Sequence, residues 1–132
     1  MISHVVLFRP KPDLSSADRD GLVAAFTRAM REIPDVRNVR VGRRVTHGAG
    51  YEETTPDLAD FLIVLDFDDL AGLQAYLRHP AHADLGARFN QTLASALVYD
   101  FEVGGDLEMQ LREGHVDLGP LRKRGRDGAD LA

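Results

Sequence analysis

The chain has 132 residues, 44% hydrophobic and 28% charged, with a net charge of −5 and no cysteine. That length and balance fit one globular domain with a real core and argue against a disordered chain. Acids outnumber interspersed bases, so no domain-wide basic field is available for nucleic acid. The absence of thiols excludes disulfides, zinc–thiolate sites and cysteine nucleophiles.

No apolar run approaches membrane-spanning length. Met1-Ile2-Ser3-His4-Val5 lacks a basic stretch leading into a long apolar one. No membrane anchor or signal peptide is therefore expected, and a cytoplasmic location is.

In chain order, the first strand is predicted over residues 2–9. Ile2, His4, Val6 and Phe8 share one face, with Val5 and Leu7 on the other. Both faces are largely apolar, so both need covering. Pro10 and Pro12 end the strand. A helix is predicted over residues 16–32, capped by Ser15, with Asp18 three residues on. Leu22, Phe26, Met30 and Ile33 form its apolar stripe, and Pro34 stops it. The second strand covers residues 36–46, with Val39, Val41, Arg43 and Val45 alternating against Arg40 and Arg44. A loop opened by His47-Gly48-Ala49-Gly50 follows. It lacks the strand–loop–helix setting of a nucleotide-binding glycine loop, because a strand comes next.

The third strand is predicted over residues 58–68, where Phe61, Ile63, Leu65 and Phe67 alternate with Leu62, Val64 and Asp66. A short helix capped by Asp68 or Asp69 carries Leu70, Leu73, Tyr76 and Leu77. A further helix runs from residue 80 to about 96 with Leu85, Phe89 and Leu93 on one stripe. The fourth strand is placed at residues 97–103, with Leu97, Tyr99, Phe101 and Val103 on one face. The domain is assigned to residues 1–103. Residues 104–132 form a C-terminal extension, an arm or flexible tail, in which 106–113 read as a short helix or strand and 121–126 as a basic cluster.

The order β-α-β-β-α-β is the ferredoxin-like, α+β pattern of a four-stranded antiparallel sheet. Helices cover only one face of such a sheet. The apolar second face would be a large exposed patch. A homodimer through sheet faces, closing a dimeric α/β barrel, is the economical solution. A charge at Val6 is expected to split that dimer if the Val6 face lies at the interface.

The most specific pattern is Tyr76-Leu77-Arg78-His79-Pro80-Ala81-His82. Proline suits the first turn of a helix, whose N–H groups have no partner. His79 is then the capping residue and His82 lies in the first turn, where the positive helix end disfavours imidazolium. A neutral imidazole there is a candidate general base, and Tyr76 a candidate phenol donor. The structural alternative is that the box only fixes the helix junction. His4 on an apolar face reads equally as a satisfied core histidine. Metal-ligand spacing is not convincing anywhere, so no metal and no cofactor are expected.

The opening residues 1–8, the Ile33-Pro34 stop, the His-Pro-Ala-His box and the closing Val98-Tyr99-Asp100-Phe101 resemble the stress-responsive α/β-barrel (Dabb) family over about residues 1–103. The resemblance implies a small ferredoxin-like homodimer. By similarity to a characterised cofactor-free polyketide cyclase of the family, it implies His82 as catalytic base and Tyr76 as its partner. His4, Phe26, Phe61 and His79 then form the substrate-binding set. Phe26 and Phe61 stand where that cyclase has a tyrosine and a histidine, which implies a drier pocket. One function class is thus a cofactor-free cyclase or lyase for a small apolar, polyketide-like carbonyl compound. The other is a non-catalytic stress-response or small-ligand-binding dimer. A cofactor-independent monooxygenase is disfavoured, because the chain has no tryptophan.

Overall fold

The computed structural model describes residues 1–114. Its elements are β1 (Ile2–Pro10), α1 (Ser16–Glu32), β2 (Asn38–Arg43), β3 (Phe61–Phe67), α2 (Leu70–Arg78), α3 (Pro80–Thr92), β4 (Leu93–Glu102) and α4 (Leu107–Glu113), with a 3-10 turn at Gly50–Glu53. The strands form one antiparallel sheet in the order β2-β3-β1-β4. This is the ferredoxin-like α+β fold expected from the element order. No helix among the described residues is long and apolar enough to cross a membrane.

The helix ends follow from local chemistry. Ser15 Oγ accepts from the Asp18 N–H at 3.1 Å, opening α1. Asp69 does the same for α2 through the Gly72 N–H at 2.9 Å. The Ile33 N–H closes α1 onto Ala29, and Pro34 then prevents continuation.

The strand register sorts the side chains into rows across the sheet. On the helix-covered face, Val41, Ile63, Val6 and Val98 make one row, and Val39, Leu65, His4 and Asp100 the next. A third row, on the far side of the Val6 row from His4, holds Arg43, Phe61, Phe8 and Ala96. Val6, Ile63, Leu65 and Phe67 are buried there with Leu73, Leu85 and Phe89 of the helices. Burying a side chain of this size contributes about 1.5–3 kcal/mol, so this face holds the core together.

The opposite face carries Val5 and Leu7 of β1, Leu62 and Val64 of β3, and Leu97, Tyr99 and Phe101 of β4. Tyr99 and Phe101 are each 52% exposed. Val6 is not on this face. It points into the helix-covered core, because alternation along β1 places it with His4 and Phe8. The expectation that a charge at Val6 would act at a subunit interface is therefore corrected: Val5 and Leu7 hold the open face.

Several boundaries differ from the sequence pattern. The helix expected to reach residue 96 ends at Thr92, and β4 starts at Leu93 rather than residue 97. Leu93 has extended backbone angles while its N–H still bonds Phe89. Ser95 and Ala96 then pair with Arg9 and Phe8. Pairing with β1 overrides the helical preference of the Ala-rich stretch. β2 is shorter than residues 36–46, and β3 is shorter than residues 58–68. Residues 107–113 are helical as α4, capped by Asp106. The basic cluster at 121–126 lies outside the described residues.

Candidate functional site

The proline break between α2 and α3 is held by one residue, His79. Its N–H bonds the carbonyl of Tyr76 at 3.2 Å, closing α2. Its Nδ1 accepts from the Ala81 N–H at 3.0 Å, opening α3. Its carbonyl accepts from the N–H groups of His82 and Ala83 at 2.9 and 3.2 Å. Pro80 at the first helical position needs no such partner. The chain turns within one residue, and the last turn of α2 faces the first turn of α3.

That turn brings the Tyr76 and His82 rings to a centroid distance of 4.7 Å at 64°. From the sheet, His4 approaches Tyr76 edge-on at 5.8 Å. Phe67 closes another side of Tyr76 at 5.3 Å. All three polar rings are buried, with exposures of 1% for His4, 1% for Tyr76 and 2% for His82. Three separate elements thus deliver two imidazoles and a phenol to one point under the helices.

The neighbouring strand orients His4. Asp100 lies directly across from it in the β1–β4 register. The Asp100 carboxylate meets His4 Nδ1 at 2.6 Å. An ionised carboxylate only accepts, so Nδ1 carries the hydrogen of this contact. Burial pushes the Tyr76 phenol above its ordinary value. A buried phenol stays protonated at neutral pH and acts as a donor.

The other candidate residues lie elsewhere. His79 is committed at the helix junction by its Nδ1. Phe26 is half-buried on α1 against the core. Phe61 sits at the start of β3, two rows from His4, stacked on Phe8 at 5.6 Å. Among the described residues, no group of three or more His, Cys, Asp or Glu side chains is placed to hold a metal ion. Asp100 had no role in the sequence-based candidate set. Its signal is only the alternation of β4, which places it on the side of Val98; the pairing partner comes from the fold.

Residues 2–103 match the family described as the Stress Responsive A/B Barrel Domain, Dabb. The chain belongs to the Dabb family. This Dabb chain is 21% identical over 100 residues to olivetolic acid cyclase of Cannabis sativa, covering 76% of this chain and 94% of that protein. A dimeric ferredoxin-like protein of unknown function from Thermobifida fusca superposes with a TM-score of 0.60 at 26% identity, covering 77% of this chain and 90% of that one. The hydroxynitrile lyase of Passiflora edulis superposes with a TM-score of 0.67 at 16% identity, covering 80% and 95%. At that identity the lyase supports the Dabb fold alone.

Proposed function

We propose that this Dabb protein is a homodimer that carries out cofactor-free, aldol-type cyclisation or the reverse cleavage on a small apolar, polyketide-like carbonyl compound. The observation that carries this reading is the meeting of His4, Tyr76 and His82 at 5.8 and 4.7 Å in one buried place. In the forward direction His82 removes a proton next to a carbonyl. The enolate carbon then attacks a second carbonyl of the same molecule, forming one carbon–carbon bond. The resulting alkoxide takes a proton from the Tyr76 phenol, and the His82 imidazolium restores the phenol. One proton circulates, and no electron enters or leaves. His4, oriented by Asp100, lines the same buried place. The homodimer is supported by the apolar open sheet face and by the dimeric ferredoxin-like neighbour.

The test is turnover of a linear diketone able to close by intramolecular aldol reaction, followed by proton NMR. The wild-type protein is expected to accelerate closure, and His82→Ala and Tyr76→Phe to lose that acceleration. Equal rates for wild type and both variants would end this reading.

A second reading is a non-catalytic, ligand-binding or stress-response dimer in which the His-Pro-Ala-His box is structural. It is favoured by the use of His79 as the cap of α3. On this reading His82→Ala lowers stability and no carbonyl compound is turned over.

A further inference from the structure

We infer that the cleft between β2, the start of β3 and the loop of residues 44–60 binds the carboxylate of a small acid bearing an apolar or aromatic group, with Arg43 as its anchor. The cleft has a volume of about 510 Å³. Small-molecule sites run from roughly 300 to 1,000 Å³.

The loop that walls the cleft is built in advance. Arg9 grips Asp60 through Nε and Nη2 at 3.1 Å each, and the Asp57 carbonyl through Nη1 at 2.9 Å. Arg44 Nη1 holds the Asp57 carboxylate at 2.8 Å. Glu52 turns inward and accepts from the successive N–H groups of His47, Gly48 and Ala49 at 3.0, 2.8 and 2.9 Å. Each of these charges is answered within the loop or by β1.

Arg43 is the exception. It lines the cleft, and among the described residues it pairs with no carboxylate. Its cross-strand partner is Phe61. Directly opposed residues on one face hold their Cβ atoms about 5 Å apart, and both Arg43 and Phe61 line the cleft. Thr46 adds a hydroxyl to the wall, while that of Thr55 donates to the Tyr51 carbonyl at 2.6 Å. A guanidinium fork, an aromatic side chain and a hydroxyl match a carboxylate attached to an apolar group. A more highly charged phosphate would meet Asp57, Asp60 and Glu52 around the same cleft.

The sheet also relates this cleft to the buried rings. Arg43, Phe61 and Phe8 form a row, and the row containing His4 lies four residues further along β1 and β3. Four residues of strand span about 13 Å. The packed row of Val6 and Ile63 lies between the two places, so the cleft is a site of its own.

The test uses the full-length protein and titrates benzoate and methyl benzoate, followed by backbone amide resonances. Benzoate is expected to shift Gly42, Arg43 and Phe61. The neutral ester is expected to bind at least about tenfold more weakly, as loss of a charge-assisted contact implies. Arg43→Ala should abolish that preference, and His82→Ala should keep it. Equal affinity for acid and ester in the wild type, or an undiminished preference in Arg43→Ala, overturns the inference. Failure of the catalytic reading would appear separately, in the diketone assay, without changing this result.

Discussion

Asp100 on β4 and His4 on β1 face each other across the sheet, joined at 2.6 Å through Nδ1. The Asp100 side chain is 45% exposed while His4 is buried, so the pair links solvent to the interior site. Asp100→Asn removes the charge and keeps the shape. It should cost less than about 1 kcal/mol in stability, as expected for a partly exposed partner. The downfield Nδ1–H resonance of His4 should disappear from the proton spectrum, and diketone turnover should fall. An unchanged resonance would show that the carboxylate does not orient the ring.

His82 is packed on Tyr76 and buried to 2% exposure. Truncation to alanine deletes a buried ring and should destabilise the fold by about 2–4 kcal/mol. Denaturant melts of His82→Ala and His82→Gln separate the two roles of the residue. The glutamine variant should recover part of the stability and none of the turnover. Turnover restored by glutamine would remove His82 as the base.

The Tyr76 phenol has its pKa pushed up by burial above the ordinary 10.0. In the unfolded chain the phenol ionises near its ordinary value, and in the folded chain it does not. The folded state therefore binds more protons above pH 10, and its stability falls as pH rises through that region. Tyr76→Phe should flatten this alkaline loss in pH-dependent melts. The same slope in both proteins would place the alkaline sensitivity elsewhere.

Neighbouring residues of β1 should respond in opposite ways to the same charge. Leu7→Asp places a carboxylate on the open face, and sedimentation should report a folded monomer. Val6→Asp buries the charge under the helices and should cost more than about 3 kcal/mol, lowering the melting temperature sharply. A Leu7→Asp protein that still sediments as a dimer would move the interface away from the open sheet face.

His79→Ala removes the side-chain cap of α3 and should cost about 1 kcal/mol, whereas His79→Asn should retain most of it. Thermal melts of the two variants check this. Equal losses would show that the imidazole acts through something other than the Ala81 N–H.

The element order and the helix starts were legible because each rests on local chemistry. Ser15, Asp69 and the His79-Pro80 break sit where short-range rules put them. The Tyr76–His82 meeting was legible for the same reason, since both flank one proline turn. The junction of α3 with β4 was not, because Leu93 continues a helical stripe and only pairing with β1 makes the following residues extended. The His4–Asp100 pair was also illegible. Ninety-six positions separate the two residues, and the β1–β4 register joins them. The internal ion pairs of the loop were hidden in the same way, since Arg9, Asp57 and Asp60 meet only after the sheet has formed.

The four hydrogen bonds that converge on His79 make the corner between α2 and α3 a locked joint. Swinging α3 away from α2 would sever the closing bond of one helix and the opening bonds of the other together. Motion that admits a guest molecule should therefore arise along the helix flanks or the sheet margin. In hydrogen exchange, the amides of residues 79 and 81–83 should be among the slowest outside the central strands.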